Sequence, residues 1–146
     1  MKISTRTRYG LRAIIELAES YKGVPIKVEE IAKRQNVSEK YLEHIMLQLK
    51  KAGFIESVAG AKGGFILAKN PDEIRIIDIV VALEGNLSPV VCVENENICN
   101  LSKICPAREI WKGMKEKIVE YLSSIKLSDV LILNKEKKKE IIDYQI

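Results

Sequence analysis

The chain of 146 residues has one histidine, three cysteines and only 5% aromatic side chains. It carries no phosphate-cradling glycine motif and no Ser/His/Asp set, so no catalytic apparatus is present and an enzyme is not expected. No apolar run approaches the ~20 residues that a bilayer-spanning helix needs, which excludes a membrane segment of that kind. The basic start, MKISTRTRYGLRA, lacks the apolar block and small-residue cleavage site of a secretory signal, and the expected location is the cytoplasm. In that compartment the cysteines stay reduced, and a disulfide framework is not expected. Internal repeats are absent.

What is present is the composition of a globular domain, with 47% hydrophobic and 30% charged residues. The net charge of +4 hides an asymmetry. Residues 1–70 hold 13 Lys/Arg against 7 Asp/Glu, or +6, and the remainder holds 11 against 13, or −2. A basic amino-terminal half suits a polyanionic partner, nucleic acid above all, although a solvated lysine-rich surface gives the same sum.

Helical periodicity organises the first half. Leu11, Ile14, Ile15 and Ala18 recur at helix spacing within residues 5–20, before Gly23 and Pro25 break the pattern. Residues 28–35 read as a short helix with Glu29 and Glu30 in its first turn, where carboxylates suit the helix dipole. Asn36–Val37 is a tight turn. Ser38 caps the next helix, which ends at Gly53 and presents Tyr41, Leu42, Ile45, Leu49 and Ala52 as its apolar face. Two β-prone runs, FIESV and GFILAK, flank the glycine-rich AGAKGG and read as a hairpin with a positive tip. Residues 75–85 are helical again. A long helix over 107–125 carries one stripe of Ala107, Ile110, Trp111, Met114, Ile118, Tyr121, Leu122 and Ile125. A domain this small has little left to bury that stripe, so it is expected to pair with its copy in a homodimer; the alternative is a helix lying across its own domain.

This order is that of a winged helix-turn-helix. The fold class is mainly α with a small β-hairpin wing, followed by a long C-terminal dimerisation helix. The organisation is a DNA-binding domain over 1–85, a cysteine loop over 86–106, a dimerisation helix over 107–130 and a C-terminal tail over 131–146, mobile over its NKEKKKEIIDYQI stretch. In such a fold the second helix of the pair enters the major groove and the wing follows the backbone or minor groove. Ser38, Lys40, Glu43, His44 and Gln48 occupy the outward face of that helix. Glu43 is placed to accept from a cytosine amino group, and Lys40 to donate to guanine or phosphate. Arg6, Arg8, Lys33 and Lys62 are the candidate phosphate contacts. For Lys40 and Glu43 the plain alternative is an ordinary solvated helix surface.

Cys92, Cys99 and Cys105 fall within one loop, separated by six and then five residues. Three thiolates this close in sequence can share one metal centre, and iron–sulfur clusters and zinc both accept them. Zinc sites use pairs spaced two to four apart, which are lacking, so the wider spacing favours an iron–sulfur cluster. Cys105 precedes Pro106, a favoured first helical residue, and a helix amino terminus favours thiolate. Both metals want four ligands, and one must come from elsewhere.

The segments RYGLRAIIELA, VEEIAKRQNVSEKYLEHIMLQLKKAGFIESVAGAKGGFILAK and IDIVVALEG, followed by the three-cysteine loop, resemble the IscR-like (Rrf-type) family of bacterial winged-helix iron–sulfur transcription regulators. The resemblance covers about residues 1–130. It implies a homodimer on a palindromic double-stranded promoter site, read by the helix from Ser38 and chiefly by Glu43. It also implies a cluster on Cys92, Cys99 and Cys105, [2Fe–2S] ahead of [4Fe–4S], sensing cluster supply, iron, redox state or nitric oxide.

Three positions depart from the family pattern. Arg108 stands where [2Fe–2S] members often have a ligating histidine, and Arg8 where some [4Fe–4S] members have an aspartate supplied by the partner. Glu109, Glu94, Glu96, a small molecule or water remain as fourth ligand, with Glu109 favoured for its place beside Cys105. Ala59 replaces an arginine common before the first wing glycine, which leaves minor-groove reading to Lys62 or to no residue. Set against the cluster-controlled repressor are a zinc-bound or thiol-switch regulator and a cluster-carrying protein-interaction module.

Overall fold

The computed structural model describes residues 1–145. Helix α1 (Thr5–Glu19) begins where the Ser4 hydroxyl accepts the Thr7 amide at 3.2 Å, a cap worth about 1 kcal/mol. Helix α2 (Val28–Gln35) ends at Asn36, whose left-handed backbone (φ 55°) lets the Val37 amide donate back to the Ala32 carbonyl at 3.0 Å. That turn delivers Ser38, which caps α3 (Glu39–Lys51) by accepting the Tyr41 amide at 3.1 Å. Gly53, at φ 85°, terminates α3 and starts the hairpin.

Strands β1 (Ile55–Val58) and β2 (Gly64–Leu67) pair antiparallel, Ile55 opposite Leu67 and Val58 opposite Gly64. A further bridge joins Ile26 to Phe65 through hydrogen bonds of 3.0 and 2.8 Å. The base of the wing is thus pinned to the segment before α2. Gly64 sits so close to it that a Cβ would lie 2.5 Å from the Ile26 carbonyl oxygen.

Helix α4 (Ile76–Glu84) buries Ile76, Ile77, Ile79, Val80 and Leu83 on one side of the core. Ala13, Ile14, Leu17, Ile31, Leu42, Ile45, Met46 and Leu49 fill the rest of it. A one-turn helix α5 (Val91–Glu94) and a 3-10 turn (Glu96–Ile98) lead to α6 (Pro106–Ser123) and α7 (Leu127–Gln145). Among the described residues no helix is long and apolar enough to cross a membrane.

Three sequence expectations change. The inner face of α3 uses Met46, whereas Tyr41 and Ala52 are exposed. The single helix expected over 107–130 breaks after Ser123, because the Ile76 amide donates to Ile125 (2.9 Å) and the Leu127 amide to Ile74 (2.8 Å). A backbone committed to that pairing cannot also continue a helical ladder. Finally, the tail assigned to 131–146, expected to be mobile from Asn134, lies in α7 as far as Gln145, with Ile146 outside the described residues. Leu127, 0% exposed, anchors α7 in the core, Val130 and Leu131 pack against that core, and Lys138 pairs with Glu19 at 3.0 Å.

The start of α1 is fastened to the end of α4. The Glu84 carboxylate accepts from the Ser4 amide and hydroxyl (3.1 and 2.7 Å) and from the Thr7 hydroxyl. The Arg6 Nε donates to the Leu83 carbonyl at 3.1 Å. Hydrogen bonds from Thr7 and then Ser4 hold the Glu84 carboxyl below its ordinary range, with smaller help from the Ser4 amide and Arg6 and against the opposing effect of burial.

A depressed folded-state value stabilises above the unfolded carboxylate pKa, about 4.3, and the stabilisation is lost as pH falls through the folded value. Glu84→Gln keeps an acceptor but loses the charge at a partly solvated site, and should therefore cost about 1 kcal/mol at neutral pH. Urea titrations at pH 7 and pH 3 should show that gap narrowing in acid. Gly10→Ala tests the packing beneath: its Cβ would lie 2.4 Å from Leu83 Cδ1 and 3.0 Å from Ile45 Cγ2. Overpacking of about 1–3 kcal/mol is expected in the same assay.

Candidate nucleic-acid interface and cysteine loop

The outward face of α3 is as the sequence suggests. Ser38, Lys40, Glu43, His44 and Gln48 are exposed, and Leu47 is exposed among them. Arg6, from α1, lines a shallow cleft of about 450 Å³ with Tyr41, His44, Ile45 and Gln48, so it stands beside the second half of the α3 surface. Arg8 is exposed on α1, Lys33 on the last turn of α2, and Lys62 at the tip of the wing. The Glu39 carboxyl, in the first turn of α3, is raised by partial desolvation and by the neighbouring charges of Glu29 and Glu43. This local acidity tempers the basic surface around it and repels phosphate there.

Tyr41 is a candidate that helical periodicity misassigned to the core. Its ring meets Tyr9 edge-on, with centroids 6.3 Å apart and planes at 87°, and the Arg12 guanidinium lies 5.6 Å from the Tyr9 centroid. The arrangement puts two phenols and a cation at the first turn of α3. The sequence signal was weak but physical: a tyrosine keeps its hydroxyl wet, and a helix edge allows that.

The cysteine loop lies outside the core. Cys92 is half-buried in α5, Cys99 is exposed after the 3-10 turn, and Cys105 is half-buried at the N-cap of α6. All three are free thiols. Among the described residues no three His, Cys, Asp or Glu side chains are gathered closely enough to hold one metal ion. Glu109 points along its own helix and pairs with Lys112 at 3.8 Å, while Glu94 and Glu96 are exposed. Arg108 donates from Nε to the Cys92 carbonyl at 2.8 Å. The donor set suits an iron–sulfur cluster in kind, because three free thiols lie on one short segment, and it falls one ligand short in number. Filling it requires the three side chains to come together.

Around the loop, Val91, Ile98, Leu101 and Ile104 are exposed, and the stripe of α6 continues them. No residue of α6 is buried; Ile110 and Tyr121 are each 66% exposed, and Trp111 and Met114 are exposed as well. An apolar helix face left this open marks an interaction surface.

A family model described as Rrf2, an iron-dependent transcriptional regulator, matches residues 3–132. The HTH-type transcriptional regulator CymR of Bacillus subtilis is 41% identical over 131 residues, covering 89% of this chain and 89% of CymR. The solved structure of T. potens IscR superposes with a TM-score of 0.77 at 36% identity, covering 94% of this chain and 90% of that one. Staphylococcus aureus CymR, solved in an oxidized form, gives a TM-score of 0.74 at 34% identity, covering 90% and 96%. Winged helix, hairpin and C-terminal helix agree throughout, and the chain belongs to the Rrf2 family of transcriptional regulators.

Proposed function

We propose that this protein is a homodimeric repressor that binds palindromic double-stranded promoter DNA in the cytoplasm, with affinity set by the state of its cysteine loop. The observation that carries the reading is α6: 18 residues with an apolar stripe and no buried residue, joined at one end to the thiols and at the other to the winged domain. Pairing of two such helices sets the separation of the two α3 helices, so a change in the loop at the head of α6 reaches the DNA face mechanically.

Each protomer reads the major groove with Ser38, Lys40, Glu43, His44 and Gln48. Arg6, Arg8, Lys33 and Lys62 hold phosphates. Glu43 carries most of the base discrimination, through a cytosine amino group. Cys92, Cys99 and Cys105 would hold an iron–sulfur cluster, [2Fe–2S] ahead of [4Fe–4S], with Glu109 as the non-sulfur ligand. When bound, such a cluster supplies redox- and iron-sensitive bonds that gather the three thiols. Glu109 must then leave Lys112, and the three thiols must come together.

A second reading makes the loop a cluster-free thiol switch. The free thiols agree with it, as does the relative solved in an oxidized form. Iron and sulfide content of anaerobically purified protein, with cysteine titration, separates the two: a colourless, metal-free protein with three titratable thiols would select the switch.

Three outcomes test the DNA reading. Ile110→Asp should convert the dimer to monomer in sedimentation and abolish footprinting. Lys62→Ala should weaken binding evenly across sequences and lower the salt slope by about 1. Glu43→Ala should lose about 1–3 kcal/mol of discrimination at one base pair per half-site, read by competition binding.

A further inference from the structure

Arg108 stands at an unfavourable place for a cation. It is the third residue of α6, after Pro106 and Ala107, where the positive end of the helix dipole opposes a guanidinium. Among the described residues no carboxylate pairs with it, since neighbouring Glu109 is turned to Lys112. Its recorded polar partner is the Cys92 carbonyl, 2.8 Å from Nε and sixteen residues away in sequence. That carbonyl belongs to a one-turn helix, whose last carbonyls have no donor within the helix.

We propose that Arg108 is a positioning residue: by donating to the Cys92 carbonyl it closes the base of the cysteine loop and holds the Cys92 and Cys105 ends together, with Cys99 left free to move. The inference rests on the loop being the sensing element and applies equally to a cluster and to a thiol switch. The burial pattern agrees with it. Cys92 and Cys105, at the two ends joined by this contact, are half-buried, and Cys99, on the far side of the closed segment, is exposed. The loop is thus kept as a two-plus-one arrangement before anything binds. The two ends that carry Cys92 and Cys105 are tied in advance, which lowers the ordering cost of engaging all three thiols.

The contact also explains why an arginine suits this position. Its planar guanidinium aims the single Nε–H in a fixed direction across the gap, and a charge-assisted hydrogen bond to a carbonyl is stronger than a neutral one. A lysine can reach the same oxygen with a single flexible donor, and it should hold the loop base less firmly.

The test uses the full-length reduced protein, stripped of metal by chelation and kept anaerobic, with no DNA. A pulse of iodoacetamide followed by peptide mass spectrometry gives the alkylation rate of each cysteine. In the wild type Cys99 should react several-fold faster than Cys92 or Cys105. Arg108→Ala should raise the Cys92 rate toward that of Cys99 while leaving Cys99 unchanged, and Arg108→Lys should restore part of the protection. Amide exchange should speed up at residues 93–95 in Arg108→Ala and stay at wild-type rates in α1–α3, which shows the domain intact. A Cys92 rate unchanged in Arg108→Ala would overturn the proposal. So would equal acceleration of all three thiols together with faster exchange in α1–α3, because Arg108 would then be a general stabiliser. Iron and DNA are absent from the assay, so failure of the cluster reading or of DNA binding would be seen in their own measurements and not here.

Discussion

Two backbone hydrogen bonds, Ile76 to Ile125 and Leu127 to Ile74, fasten the long arm of the molecule to its reading head. They form across the break between α6 and α7, and Leu127, the first residue of α7 and one of the two donors, is fully buried in the core. The junction adds to the packing of α6 against α4 and fixes where α6 leaves the winged domain. Hydrogen bonds buried beside a fully enclosed leucine do not exchange casually with water, because breaking them leaves polar groups unsatisfied.

The winged domain is fastened again at the start of α1. The Glu84 carboxylate gathers the first turn of α1, and Arg6 reaches back to the carbonyl of Leu83 while standing beside His44 and Gln48. One short segment therefore meets α4, through which α6 is attached, and also borders the surface offered to DNA. The charges of the reading face are mixed and not uniformly basic. Glu29, Glu39 and Glu43 lie among the lysines. In the proposed DNA complex a face of that kind would attract phosphate at its edges and discriminate at its centre.

Much of this was legible in the sequence wherever the signal was local. The turn at Asn36–Val37, the Ser38 cap and the Gly53 stop are each set by one residue's own conformational preference, and the structure places them as read. The outward face of α3 followed from its period. Where the outcome depended on distant partners, local pattern fell short. Met46 and Tyr41 both fit an apolar stripe, and only the packing of α1 and α4 decides which is buried. The break after Ser123 comes from pairing with residues fifty positions earlier. The lysine-rich stretch after Asn134 has no stripe of its own, so nothing in it announced that α7 would dock on α1. For the thiols, spacing said that they could meet but not whether they do, since convergence depends on side-chain direction and on the unforeseen Arg108 contact.

The bare stripe of α6 has a consequence for the life of the protein in a cell. Under the proposed pairing, a newly made copy that has not yet met its counterpart shows chaperones and proteases a sticky rod bearing tryptophan and isoleucine. For a scarce chain this waiting time grows as copies become rarer. Turnover should then fall hardest on the unpaired form, which makes the amount of working regulator depend more steeply than linearly on how fast the chain is synthesised.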